Sequence, residues 1–346
     1  MHRNPIGWPD AWLADEMRAT GRWQYALDEA DNDRIVQAVE QVHKRGLSVP
    51  FPIDAFPLGR FVARLAALRD EVERGTGVML VRGLGVERLG LEGTRIAYWG
   101  IGLHLGAPLA QNPAGDLLVD VRNEGGDYLG QPTMRAYHTA QTLPFHNDQG
   151  SVVGLLCRQT ARAGGLSCIA SAAAIHDEIL RTRPDLLEVL YGPFHVDLRG
   201  EEPPGRPPYY VEPRFAWFQG RFYAQHGPTY VRSAQRFPEV PRLSDAQVEA
   251  MALIDRLAAS DRFRLDMDFR PGDIQFLNNH RVLHSRTEFQ DHEAPERRRH
   301  LLRLWLSTPR YLEVPPFFEP RYRDMAFWAA HPGVAVTAGA TRTAPR

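Results

Sequence analysis

Two short segments hold side chains that could do chemistry together. The first reads Phe145-His146-Asn147-Asp148. The second, far along the chain, holds His284 and then two arginines four apart, Arg299 and Arg303. Two imidazoles and one carboxylate on one face of a metal leave three octahedral positions open, an arrangement suited to iron(II) and dioxygen. The guanidinium pair could clamp an anionic co-reactant beside it. A redox enzyme is the leading expectation.

The ligand set has to be chosen against blander readings. His-x-Asp occurs at His146-Asn147-Asp148 and at His195-Val196-Asp197, and His176-Asp177-Glu178 is a third cluster. On a strand, residues i and i+2 point to one side and can reach one ion. His176 and Glu178 fall on a predicted helix, where i and i+2 diverge, so solvated surface is expected there. His195 and Asp197 alternate with Phe194, Val196 and Leu198 and read as the polar face of a half-buried strand. The second imidazole must come from His280, His284, His292 or His300. Pro271-Gly272-Asp273 launches a strand, and Asn278-Asn279-His280 reads as its far turn. His284 then lies inside the returning strand, with His280 a hydrogen-bonding neighbour. His292 sits in a charged loop, and His300 is out of phase with the arginines.

The rest of the chain must position these groups. With 346 residues, 43% hydrophobic and 24% charged, it has ordinary globular composition. A net charge of −1 leaves no electrostatic footprint for nucleic acid or an anionic membrane. No apolar run is long enough to span a bilayer, and Met1-His2-Arg3-Asn4-Pro5 opens no signal pattern. Cys157 and Cys168 make no disulfide framework and are expected to be buried fillers. A reducing, cytoplasmic compartment is expected.

Residues 1–33 read as an arm wrapping the domain. Ile35, Val36, Val39 and Val42 mark a helix stopped near Gly46. Phe61, Val62, Leu65 and Leu68 mark a second, ended by Gly75. Val78 to Val81 reads as a buried strand, and residues 91–104 as a third helix. From about residue 106, short apolar segments alternate with Gly, Pro and Asn turns, which predicts an antiparallel sandwich or barrel. Ser171 can cap a helix ended by Pro184, and Ser244 with Gln247 opens another. Residues 199–217 read as a long loop or lid, and residues 330–346 as a frayed tail.

Four segments in order, Phe145-His146-Asn147-Asp148, Gly164-Gly165-Leu166-Ser167, Asn279 to Thr287, and Arg299-His300-Leu301-Leu302-Arg303, resemble the taurine dioxygenase-like family of iron(II)/2-oxoglutarate-dependent oxygenases. The resemblance covers roughly residues 75–310. It implies an α+β fold with a mainly β core, a double-stranded β-helix (jelly-roll or cupin-like) with flanking helices. With the pattern along the chain, one oxygenase domain is expected over residues 1–328: an arm and helices over 1–75, a core over 106–310 with an insert at 171–260, and a flexible tail over 329–346. The resemblance also implies Fe(II), with 2-oxoglutarate and O2 as co-substrates, and oxidation of a substrate C–H bond as 2-oxoglutarate is decarboxylated to succinate and CO2.

Carried over residue by residue, His146, Asp148 and His284 resemble the catalytic iron ligands. Arg303 resembles the arginine that grips the distal carboxylate of 2-oxoglutarate, with Ser167 where the family usually has threonine. Arg299 resembles the arginine near the metal-chelating carboxylate. Asn147 departs from the usual threonine between the ligands. Arg122, Tyr137, His138, Asn279 and Arg286 are candidates to contact substrate or to support the metal site. A small molecule, anionic or amino-acid-like, is the expected partner; a homo-oligomer is compatible with the sequence. Competing readings are a non-oxidative hydrolase or isomerase on a similar barrel, and a sensor that binds metal and 2-oxoglutarate without turnover.

Overall fold

The protein is described by a computed structural model over residues 1–126 and 136–334. Two sheets dominate it. The larger runs in the order Gln24–Ala26, Val78–Arg82, Ile274–Asn278, Val152–Gln159, His300–Ser307, Ala107–Pro108, with Leu118–Val121 also paired to His300–Ser307. Its first pair is parallel and the others are antiparallel. The smaller sheet runs Leu265–Met267, Ser167–Ser171, Val282–Arg286, Leu143–His146, all antiparallel.

The sheets face each other across a shared apolar layer. Val78, Leu80, Val153, Leu277 and Leu301 from the larger sheet pack with Ile169, Leu265, Met267 and Val282 from the smaller. The other face of the larger sheet is covered by the helices Glu29–Lys44, Phe61–Arg74 and Val86–Leu105, through Ile35, Val39, Leu65, Ile96 and Tyr98. Strands buried on both faces carry continuous apolar runs, which is why Val78 to Val81 shows no alternation. The smaller sheet is covered by Ala172–Thr182, Pro184–Leu190 and Asp245–Ala259. Ser171 accepts from Ala174 N at 2.9 Å, and Ser244 forms a capping box with Gln247.

Several expectations change. Pro184 does not merely end a helix; it sits at the first position of the next, where its missing N–H costs nothing. The loop expected at 199–217 contains two strands, Tyr209–Glu212 and Phe215–Phe218. The region after 310 includes a helix, Glu319–Ala330, that no pattern in the sequence announces. Residues 335–346 of the expected tail lie outside the described residues. His176 is fully buried, not solvated: Tyr191 Oη lies 3.1 Å from its Nε2, and the neighbouring Asp177 accepts Ile6 N and Gly7 N, anchoring the arm. Cys157 and Cys168 are buried and free. Among the described residues, no helix is long and apolar enough to cross a membrane.

Candidate active site

His146 and His284 are register partners on neighbouring antiparallel strands, with ring centroids 4.3 Å apart. Asp148 lies two residues past the end of the first strand, where the ladder no longer fixes the backbone. Asn279 does so instead. Its Oδ1 accepts Asp148 N at 2.9 Å, and its Nδ2 donates to Asp148 O at 2.7 Å and Gly150 O at 3.1 Å. Asn147 braces the same turn by donating to Asn279 O at 2.6 Å and Val282 O at 3.1 Å, and by accepting His226 N at 2.8 Å. The side-chain amide of the middle residue of His-Asn-Asp is thus committed to protein partners.

The ligand atoms of His146, Asp148 and His284 lie within 4.8 Å of one another. Each Nε2 faces the carboxylate, at 3.7 Å from Oδ1 for His146 and 3.9 Å from Oδ2 for His284. Those separations exceed a hydrogen bond, so mutual bonding does not explain the convergence. The His146 Nδ1–H donates to Pro144 O at 2.8 Å, which leaves the Nε2 lone pair facing inward. Burial, then the adjacent His146, push the His284 imidazole down to about 3, so it is neutral at ordinary pH. Burial alone would raise the Asp148 carboxyl; the charge of Arg303, foremost, and the Trp305 N–H outweigh it and hold the group well below the usual range. Two imidazoles and an ionised carboxylate form a donor set that fits iron(II).

The two arginines have different neighbours. Arg303 Nη1 lies 3.2 Å from Asp148 Oδ2, its Nε donates to Gln111 at 2.8 Å, and its guanidinium stacks on Tyr137 and Trp305. It stands at the metal end. Arg299 is 5% exposed and stands over the Phe289 ring. A Cβ on Gly165 would come within 3.1 Å of its Nε, so it abuts the Gly164-Gly165-Leu166-Ser167 segment. Burial pushes its pKa down to about 10, with Cys157 and Asp291 opposing. Its guanidinium has no ion pair with a described carboxylate, the state of a buried cation awaiting an anion. Alternation puts both arginines on one face but does not say which of them stands beside the metal ligands.

One cavity is lined by His146, Asp148, His284, Ser167, Arg299 and Arg303, and by Tyr137 and Arg286. Ser167 bonds to Gln275 at 3.0 Å, on the sheet that carries Val282–Arg286. Three candidates do not line it. Arg122 turns away to His300 Nδ1 at 2.9 Å, and His138 pairs with Glu124 at 3.0 Å. Asn279 acts behind the site, through the Asp148 backbone. Arg286 lines the cavity while its Nη2 donates to Thr139 O at 2.8 Å. Sequence reasoning misses one wall: Arg321, Asp324, Met325 and Trp328 of the late helix, facing Tyr210 and Gln225. Charged residues at helical spacing signal a solvated face there, and only the fold shows them buried.

Comparison with known proteins gives one consistent picture. The family described as "Taurine catabolism dioxygenase TauD, TfdA family" matches residues 45–305. The FR-33289 synthase of Streptomyces rubellomurinus is 32% identical over 325 residues, covering 90% of this chain and 93% of that protein. A taurine hydroxylase-like protein, SAT17, of Stachybotrys chartarum is 29% identical, covering 85% and 77%. Among solved structures, asparagine oxygenase in complex with Fe(II), 2S,3S-3-hydroxyasparagine and succinate superposes with a TM-score of 0.64 at 18% identity, covering 83% of this chain and 94% of that one. The non-heme iron oxygenase OrfP, in complex with Fe, succinate and (3S)-hydroxy-L-Arg, gives 0.62 at 16% identity, covering 85% and 98%.

Proposed function

The chain belongs to the TauD/TfdA dioxygenase family and is an iron(II)/2-oxoglutarate-dependent oxygenase of a small molecule, and on that premise we propose which of its residues do the work. His146, Asp148 and His284 hold the iron. Arg299 grips the distal carboxylate of 2-oxoglutarate beside Ser167, and Arg303 orients Asp148 at the metal end. One observation carries this reading: the three ligand atoms converge in a cavity whose other polar lining includes a buried arginine that makes no ion pair with a described carboxylate.

Iron(II), once bound, couples decarboxylation of 2-oxoglutarate to succinate and CO2 with oxidation of a substrate C–H bond. The protein's share is positioning. His146 and His284 present their Nε2 atoms. Asp148 Oδ2 is occupied by the Trp305 N–H at 2.9 Å and by Arg303, which leaves Oδ1 for the metal. Leu155, Leu301 and Phe269 line the cavity between the polar groups and exclude water from the co-substrate. The two facing sheets support reading the fold as a double-stranded β-helix, and hydroxylation of an anionic or amino-acid-like substrate as the outcome. The asparagine and arginine chemistry named for the solved structures supports that substrate class. Residues 1–328 acting as one oxygenase domain, and a cytoplasmic location, complete the proposal.

The test is anaerobic titration with Fe(II) and then 2-oxoglutarate, watched for the visible charge-transfer band of the chelate. The wild-type protein should show the band and, in air, form succinate. His146→Ala and His284→Ala should show neither. Succinate formation at wild-type rate by either variant would refute the ligand assignment.

A further inference from the structure

One polar side chain sits where packing alone would place an apolar one. Gln275 is fully buried on the strand Ile274–Asn278. Ile274 and Phe276 on that strand face the helices. Gln275 shares the opposite face with Leu277, so it enters the apolar layer between the sheets, which also holds Val153, Ile169 and Met267. An amide buried there is costly unless its hydrogen bonds are met.

The smaller sheet meets it with two groups. Gln275 Nε2 donates to Ser167 Oγ at 3.0 Å and to Met267 Sδ at 2.9 Å. Ser167 is the register partner of Met267 on one side and of Arg286 on the other, and Arg286 lies two residues beyond His284. Met267 settles which way the amide points. A thioether accepts a hydrogen bond and cannot donate one, so the N–H side belongs next to it. Ser167 Oγ therefore accepts from Gln275. Its own proton is left over: Gln275 Oε1 is 3.4 Å from Oγ, beyond the range of about 2.5–3.0 Å in which a hydroxyl donates well to oxygen. Ser167 lines the cavity together with Arg299, and Gln275 does not reach it. Serine has no β-branch to hold its hydroxyl in one rotamer, so the buried amide sets the direction.

We propose that Gln275 is a positioning residue for the co-substrate: by donating to Ser167 Oγ it leaves the hydroxyl proton to donate into the cavity, to the distal carboxylate of 2-oxoglutarate at Arg299. This rests on the assignment of Ser167 and Arg299 to that carboxylate. It explains why an amide is kept in an apolar layer and why it bonds a residue of the cavity wall.

Two oxo acids test it: 2-oxoglutarate, and 2-oxopentanoate, in which a methyl group replaces the distal carboxylate. Each is titrated anaerobically into protein loaded with Fe(II), and its affinity is read from the charge-transfer band. The wild type should prefer 2-oxoglutarate. Gln275→Met keeps the side-chain length and removes the donor, so 2-oxoglutarate should bind about three- to tenfold more weakly. Affinity for 2-oxopentanoate and for iron should stay within about twofold. Gln275→Leu, which matches the apolar layer, should give the same result, so either variant that folds decides. On a Ser167→Ala background neither Gln275 variant should weaken 2-oxoglutarate further. Equal losses for both oxo acids, or a full loss that persists on Ser167→Ala, overturn the proposal, because the amide would then act on the sheet and not on the hydroxyl. Ser167→Thr in the otherwise wild-type protein gives a check without any change at 275. Its β-branch holds the hydroxyl by itself, so tightening of 2-oxoglutarate by about tenfold would show that Gln275 does not hold the serine and would overturn the proposal as well. A wild type that binds the two oxo acids equally would fail the assignment of the distal carboxylate, and the inference with it. A wild type without the band would fail the oxygenase reading.

Discussion

Arg303 Nη1 stands 3.2 Å from Asp148 Oδ2, and the Trp305 indole N–H reaches the same oxygen at 2.9 Å. One carboxylate oxygen is thus taken by two donors from one strand, and the other is turned toward His146. The larger sheet, through residues 303 and 305, aims a ligand presented beside the smaller one. Trp305→Phe keeps the packing and removes one donor. Metal affinity should fall about 10–100-fold, as for other losses of a group that orients a ligand. Affinity of the metal-loaded protein for 2-oxoglutarate should hardly change. Iron titrations of both proteins decide it, and unchanged metal affinity would show that the indole bond does not orient Asp148.

The two arginines should separate in kinetics. Arg299→Met removes a buried cation from the co-substrate end. Each charge-assisted bond contributes about 1.5–3 kcal/mol, so the apparent KM for 2-oxoglutarate should rise about tenfold to a hundredfold. Arg303→Met should instead weaken iron binding and raise the Asp148 pKa. If the Arg303 variant carried the KM effect and the Arg299 variant did not, the two residues would have to exchange roles.

Much of this site is legible in the sequence because strand alternation is rigid. Val282–Arg286 follows a turn at Asn279-His280, so parity alone puts His284 on the cavity side. Alternation is silent about direction, so it does not say which of Arg299 and Arg303 stands beside Asp148. It is also silent where burial is polar. The helix Glu319–Ala330 buries Arg321 and Asp324, whose partners Glu212 and Tyr210 are more than a hundred residues away. His176 reads as surface for a related reason: its partner Tyr191 lies just past the end of the following helix, outside any periodicity of its own. Residues that bury polar groups against partners on other elements leave no local pattern.

Gly164 and Gly165 both adopt left-handed backbone, with φ of 73° and 74°. A Cβ on Gly164 would sit 2.2 Å from Glu288 O, and one on Gly165 would reach Arg299 Nε at 3.1 Å. Gly165→Ala combines backbone strain of about 1–2 kcal/mol with a push on the guanidinium. The variant should lose several degrees of thermal midpoint and bind 2-oxoglutarate more weakly, while iron affinity is retained. Arg299→Lys combined with Gly165→Ala should be no weaker in 2-oxoglutarate binding than Arg299→Lys alone. Full additivity in that double-mutant cycle would show that the glycine acts elsewhere.

Acid should destabilise the metal-free protein through a histidine that does not face the iron site. His280 is buried among Tyr223, Tyr311 and Phe318, and its Nε2 lies 3.2 Å from the Tyr322 hydroxyl. Burial, then the charges of Arg281 and Arg221, push its pKa from 6.5 down to about 3. The sign follows from proton counts. Below pH 6.5 the unfolded chain takes up a proton that the folded chain refuses, so the stability from this group is complete above 6.5 and declines toward 3. One proton corresponds to about 1.4 kcal/mol per pH unit, or about 2 kcal/mol between about pH 6.5 and 5. His280→Gln should remove about that much pH dependence from denaturant unfolding curves while leaving the remainder, which includes His284, in place. An unchanged slope in the variant would mean that His280 protonates equally in both states, and that its aromatic cage opens to water before the fold is lost.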